Sequence, residues 1–468
     1  MISHRFGRGR FIAFCVAILI VSANVIPNAA AQNTSEITET GDSGTDRTPR
    51  LAMAGDILMV AWLVFDDYGT DILYKVRNQG TWSAIDKLVE STGNERDVAL
   101  CSSGGRIYAA WATDSSQYTD GTDWDIALSA YDQVNGWSAP VELTAANDTA
   151  NDYAPVLLPY QNGVIVLWQS FGGDEGHILM SKFTGTALEP VTVTDGWKGM
   201  SQNPTAAFLG GTLWIAWSSN DNRYTNGTDL DIVAAPFHIQ NETLGDIVQL
   251  SAPADTEDDI YPSMLALGGR LYIAWQSKDK TLGPGDDEDI GLAVYDGEWS
   301  TLALTSPHDT GDDTYPHLYA FGDELWIAWQ SSDPAITGAD DWDIVTAKIT
   351  DNVLGSVIVV SEGKEHIDEG GTVVRGHDAL QVGEDIVVVW ETANPGITDG
   401  TDRDIAMAIL TGTGQEKEDG ADGGTGMILI LIIIGCLGGL AAFVLLKKRN
   451  KGGNNVEEIP KKRKQTRK

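Results

Sequence analysis

The chain has 468 residues, 67 acidic against 31 basic, for a formal charge of −36. Such a surface repels nucleic acid, which argues against a nucleic-acid partner, and it suits cations, basic partners or a saline exterior. The three cysteines, Cys15, Cys101 and Cys436, fall in three separate segments, so no disulfide can form within the large middle one.

The amino end carries Arg5, Arg8 and Arg10, an apolar run from Phe11 to Val21, and Ala29-Ala30-Ala31 before Gln32. This is the pattern of a secretory signal peptide over residues 1–31, cleaved after Ala31; an uncleaved anchor is the alternative. The next stretch, Ser35 to Pro49, agrees without gaps with Leu302 to Pro316 at Thr38, Asp42, Gly44, Asp46 and Pro49. The second copy reads as a fourth strand plus the loop into the next repeat, so a strand at Ser35 to Glu39 is expected to play the same part.

Residues 32–411 are built from copies of one unit, clearest from Asp313 to Lys348. It opens on Tyr315-Pro316 and an apolar run, turns at Gly322-Asp323, and continues as Leu325-Trp326-Ile327-Ala328-Trp329, apolar on both faces as in a strand covered on both sides. A polar loop follows, then another short run from Asp343-Ile344. Copies align on Trp62, Trp111, Trp168, Trp217, Trp275, Trp329 and Trp390, about 49 to about 61 residues apart, the length of a propeller blade. Thirteen positions before those tryptophans stand Pro49, Pro155, Pro204, Pro262 and Pro316, with Val98 and His377 in the other two copies. Proline at a strand's first residue loses no ladder bond.

The expected fold is all-β: a seven-bladed propeller of four-stranded antiparallel blades. The seventh unit ends near Leu410 after its third strand, so the strand at Ser35 to Glu39 is predicted to complete it and close the ring, removing unpaired sheet edges. Residues 412–426 read as a Gly and acid stalk. Residues 427–446 are uncharged and long enough to span a bilayer as one helix. Lys447, Lys448 and Arg449 begin a basic tail over 447–468, which places that tail in the cytoplasm and the propeller outside the cell membrane. Asn33, Asn147, Asn226 and Asn241 lie in Asn-x-Ser/Thr sequons and are candidate glycosylation sites.

In an up-and-down blade, the loop from second to third strand and the loop into the next blade share one face, and both are rich in Asp. The repeated Asp-x-Asp-Ile pattern supplies Asp123/Asp125, Asp229/Asp231, Asp287/Asp289, Asp341/Asp343 and Asp402/Asp404. Residues i and i+2 of a strand point the same way. Two readings stay open: turn-capping carboxylates, or oxygen ligands for Ca²⁺. The tryptophans of the second strands read as interblade core rather than as sugar platforms.

The third-to-fourth-strand connections, Tyr295 to Ser300, Asp132 to Ser138 and Asn78 to Ser83, resemble the Asp boxes of the sialidase-like propeller superfamily, with Asp296, Gly297 and Trp299 matching in type. Val294 stands where that family has Ser, the Gly-to-Trp spacing is shorter, and the resemblance covers the propeller alone. It implies the fold; in that family the box lies away from the active face, and the blade count there is six. Sialidase-like chemistry would need an arginine cluster, a Tyr nucleophile with a Glu partner, and an acid. Arg106 and Arg270 fall on the opposite face, whereas Arg50, Arg96 and Arg375 fall at first-strand entries of consecutive blades, with Tyr153, Tyr261 and Tyr315 around the same mouth. Two functions are therefore carried forward. One is a surface-anchored module that binds an extracellular protein or glycan through its acidic face, with or without Ca²⁺. The other is a glycan hydrolase or lyase with its pocket at the channel mouth.

Overall fold

The computed structural model describes residues 34–38, 44–67, 69–119, 121–144, 149–225, 228–252, 256–279, 287–305, 311–338, 342–361, 376–393, 403–411, 429–436 and 439–446. The signal peptide, the stalk, the basic tail, Arg375, Asp341, Asp402, Asn33, Asn147 and Asn226 lie outside these residues.

Seven antiparallel sheets follow one another through the first unit of the chain. Blade one is typical: Thr45–Ala54, Ile57–Asp66 and Gly69–Asn78 pair in order, and a split fourth strand, Thr81–Trp82 and Asp86–Lys87, runs along the third. Blades two, four and six show the same interruption. In blades one and two a serine bridges the gap. Ser83 and Ser138 exchange backbone and hydroxyl bonds with Val76 and Ala130, so the third strand's N–H groups keep acceptors where the ladder lapses.

Blade seven is completed from the amino end. His377–Val382, Asp385–Thr392 and Asp404–Thr411 are joined by Ser35–Glu36, with Ser35 opposite Met407 and Glu36 opposite Ala406. The predicted closure is therefore what the chain does.

The core lies between blades, which is why the second strands are apolar on both faces. In blade one, Leu58, Val60 and Trp62 pack with Ile37, Val387, Val389 and Ile405 of blade seven. The alternate residues Ile57, Met59, Ala61 and Leu63 pack with Val98, Ile107 and Trp111 of blade two. The seven aligned tryptophans are at most 1% exposed, each burial worth about 1.5–3 kcal/mol or more. This excludes them as sugar platforms.

In the second unit, Leu429–Cys436 and Gly439–Leu446 pair as an antiparallel hairpin, with Leu429 opposite Leu446. This differs from the helix expected over 427–446, and no helix among the described residues is long and apolar enough to cross a membrane. An apolar run rich in isoleucine satisfies helix and strand alike, since periodicity cannot separate them when every position is apolar.

Candidate functional site at the channel mouth

The first strands are innermost, and six of them carry the same fault. Their register slips at Arg47/Arg50, Arg96/Ala99, Tyr153/Val156, Gln202/Thr205, Ile260/Ser263 and Thr314/His317. Within each bulge one residue is left-handed: Thr48, Asp97, Ala154, Asn203, Tyr261 and Tyr315, with φ between 49° and 55°. Such a conformation costs a non-glycine residue about 1–2 kcal/mol. The N–H it turns out of the ladder is collected by the neighbouring blade. Glu391 accepts from Thr48, Asp97 from Ala154, Gln169 from Asn203 and Gln276 from Tyr315, at 2.8–3.3 Å.

Past the bulge, the side chains face the bore. Ser263 accepts the Leu318 N–H at 2.9 Å, Thr205 the Met264 N–H at 3.1 Å, and Asp378 the Leu51 N–H at 2.8 Å. His317 Nε2 stands 3.1 Å from Asp378 Oδ1. Arg50 lies here, lining a cavity of about 300 Å³ with Asp97, His317 and Asp378. Burial lowers its pKa from the ordinary arginine value, while the carboxylates of Asp378, Asp97 and Glu391 pull the other way.

Arg96 lies before the bulge of its strand, opposite Ala112. Its Nε is 3.1 Å from Asp97, and its guanidinium sits 4.5 Å over the Tyr153 ring and 5.4 Å over Trp124. Arg47, from the preceding blade, lies 5.5 Å over Phe65, and its buried Nε has no hydrogen-bond partner. Both arginines line one cavity of about 340 Å³, with Leu63, Trp124 and Glu391 in its wall. Glu391 is 2% exposed. Burial raises its pKa, opposed by Arg403, whose Nη1 donates to it at 2.7 Å, by the Thr48 N–H and by Arg47. Burial also pushes Glu95, at the start of the same strand as Arg96, up to about 7. Its carboxyl accepts from Thr113 at 3.2 Å.

Of the three arginines singled out from the sequence, Arg50 and Arg96 thus share Asp97 but lie on opposite sides of a bulge. The true counterpart of Arg96 is Arg47, which sequence reasoning missed, along with Arg403 and Glu391. A signal existed: Arg47, Arg96 and Arg375 each stand fifteen residues before an aligned tryptophan. Likewise, Gln169, Gln276, Gln330 and Glu391 follow their tryptophans, while Leu63, Ala112 and Ser218 break that pattern, the first two in blades that line the cavity. Tyr153 stacks on Arg96, whereas Tyr261 and Tyr315 face each other, ring centres 4.8 Å apart, away from it.

The repeated aspartates divide by position. Asp125, Asp231, Asp289, Asp343 and Asp404 are at most 3% exposed and accept from Thr144, Ser251, Thr305, Ser361 and Thr38. The same hydroxyls of Ser251, Thr305, Ser361 and Thr38 accept the N–H of the isoleucine that follows each aspartate. These second aspartates therefore latch the end of the blade to its third strand. Asp123 and Asp287 stay at the rim, and Asp229 is 5% exposed. Among the described residues, no group of three or more His, Cys, Asp or Glu side chains is placed to hold a metal ion. Asn241 is exposed, in the turn between third and fourth strands of blade four.

No protein-family model matches the chain, and no curated protein matches it by sequence. Among solved structures, a polysaccharide lyase, Uly1, is similar over 82% of this chain and 99% of its own, with 10% identity and a TM-score of 0.51. The phage phi92 endosialidase is similar over 92% of this chain and 76% of its own, with 10% identity and a TM-score of 0.46. A Trypanosoma rangeli sialidase is similar over 78% of this chain and 72% of its own, with 12% identity and a TM-score of 0.43. At 10% identity the likeness to the lyase is one of fold alone.

Proposed function

We propose that this protein is a surface-displayed, membrane-anchored propeller that binds a carboxylate-bearing glycan at the mouth of its channel, where blades seven, one and two meet. One observation carries the reading. Arg47 and Arg96, at matching positions of adjacent blades, line one cavity; Arg96 lies over the rings of Tyr153 and Trp124, and Arg47 has a buried Nε without an acceptor. A planar guanidinium fixed on aromatic faces is prepared to take a carboxylate through two parallel N–H bonds, and the aromatic edges offer a surface for a sugar ring. The propeller fold shared with glycan-acting enzymes fits this ligand class and adds nothing about turnover.

The display rests on the basic-then-apolar leader ending at Ala31 and on the apolar run at 427–446 followed by Lys447, Lys448 and Arg449. A lone hairpin could not satisfy its outer backbone groups in hydrocarbon, so in a bilayer this run would have to be helical. Isothermal titration of the full chain in detergent with glucuronate and with glucose tests the binding. Glucuronate should bind and glucose should not, and Arg96→Ala should abolish the difference. Equal behaviour of the two sugars would refute the reading.

A further inference from the structure

Three consecutive residues of blade seven, Arg403, Asp404 and Ile405, hold both the strand that closes the ring and the strand that carries Arg47. The Ile405 carbonyl accepts the Ile37 N–H at 2.8 Å, the Asp404 carboxylate takes the Thr38 hydroxyl at 2.9 Å, and the Arg403 carbonyl accepts the Asp46 N–H at 2.7 Å. One residue past Arg47, the Thr48 N–H turns out of the ladder at the bulge and donates to Glu391 Oε2 at 3.2 Å. The backbone on either side of Arg47 is thus held by blade seven, while Arg47 itself lines the cavity with Arg96.

Glu391 is fixed for this task. Its N–H donates to the Gly376 carbonyl at 3.0 Å, and a Cβ at Gly376 would stand 3.0 Å from Glu391 Cγ, so the glycine leaves the side chain its room. Arg403 Nη1 donates to Glu391 Oε1 at 2.7 Å, which offsets the charge of the carboxylate in a pocket meant for an anion. The bulge itself asks for no charge. Gln169 and Gln276, at the same position after their own tryptophans, accept the Asn203 and Tyr315 N–H groups at 2.8 and 3.2 Å. What the position requires is an acceptor, because a buried N–H without one is costly.

Resting on the carboxylate-glycan reading above, we infer that Glu391 is the positioning residue of the arginine pocket. It holds the Thr48 amide and, with the Arg403 carbonyl on Asp46, fixes the Arg47 backbone to blade seven. Closing the ring and forming the pocket are then one event, and ligand binding tightens the seam at Ile37.

The test titrates the full chain in detergent with two charged probes, glucuronate and galacturonate. Glu391→Ala should weaken both about tenfold, and Glu391→Gln should recover the loss, since its side-chain carbonyl can take the Thr48 N–H as Gln169 and Gln276 take theirs. A carboxylate that only lined the pocket would act with the opposite sign, because removing a negative charge favours an anion in both variants. Thermal unfolding of each variant checks that the fold is kept. Hydrogen exchange of the parent gives a second readout. With glucuronate at tenfold its Kd, the peptide holding Ile37 should exchange about tenfold more slowly, while the one holding Ile232, whose N–H is bonded to Ser251 in blade four, keeps its rate. Tighter binding by both variants, equal weakening by both, or no change in Glu391→Ala overturns the positioning role while the pocket stands. Equal slowing at Ile37 and Ile232, or slowing at neither, overturns the coupling to the seam. If the parent binds neither probe, the pocket reading falls and the positioning role with it.

Discussion

The backbone N–H of Ile37 donates to the carbonyl of Ile405 across 2.8 Å, joining the first described residues of the chain to its last blade. The Ile37 side chain is 1% exposed and packs against Leu58, Val60 and Met407 on both sides of the seam. At the next residue, the Thr38 hydroxyl donates to Asp404 at 2.9 Å and accepts the Ile405 N–H at 3.2 Å.

Opening that seam should be costly. Ile37→Ala removes buried methyl groups at a junction that cannot collapse and should lower stability by about 2–5 kcal/mol. Urea unfolding of the variant beside the parent measures it. A loss below the error of the extrapolation would mean that the seam contributes little to the ring.

The latch aspartates should behave as structural groups. Asp343→Ala leaves the Ser361 hydroxyl, 3.0 Å from Asp343 Oδ1, without its acceptor in a buried setting. The expected loss is about 1–3 kcal/mol, with binding of the charged probes unchanged because blade six lies across the ring from Arg96.

Acidity should stabilise the ring. Burial pushes Asp259 up to about 7, with the Asp231 carboxylate adding to it and bonds from Ser277, Ser251 and Trp275 opposing it; Glu95 is raised to about 7 as well. Both groups bind a proton more tightly folded than unfolded. Their contribution is therefore full below the unfolded value of about 4 and is lost as pH rises to about 7, by at most about 1.4 kcal/mol per pH unit for one group. Asp221 has the opposite sign: its bond from Arg223 holds it at about 2, so its contribution is lost below about pH 4. The melting temperature should fall from pH 5 to pH 7, and Asp259→Asn should flatten part of that fall.

The left-handed residues offer a test of the bulge ring. Ala154, with φ at 49°, can be replaced by Gly at little or no cost, since relief of about 1–2 kcal/mol of steric strain offsets the added chain entropy. Ala154→Val should destabilise, because a β-branched side chain fits this region poorly. Comparing the two melting temperatures separates a required φ from a required side chain.

At the arginine pocket, Arg96→Lys keeps the charge and loses the flat contact with Tyr153 and Trp124. Glucuronate binding should weaken about twofold to fivefold, the worth of a cation–π contact at a partly exposed site. If Lys restored full affinity, the stacking would be incidental.

The sequence by itself determined the repeat, the blade count and the borrowed strand. Each rests on local patterning that repetition reinforces: a two-sided apolar run ending in Trp, a proline thirteen residues earlier, an Asp-Ile start to the third strand. It also separated the tryptophans from any binding role, because a strand apolar on both faces has nowhere to be but between sheets. The run at 427–446 it read as one helix, on length alone, since an all-apolar stretch carries no period. What only the tertiary structure decided is which side chains meet. A bulge between Arg47 and Arg50 keeps residues three apart in sequence on one face of the strand, opposite Leu63 and Ala61, but in different cavities, so Arg96 shares its cavity with Arg47, not with Arg50. Likewise, whether Asp125 or Asp123 faces solvent depends on a hydroxyl supplied nineteen residues later by Thr144. Side-chain direction at a bulge and partners across a blade junction are long-range facts, set by ring closure, which no local window of sequence contains.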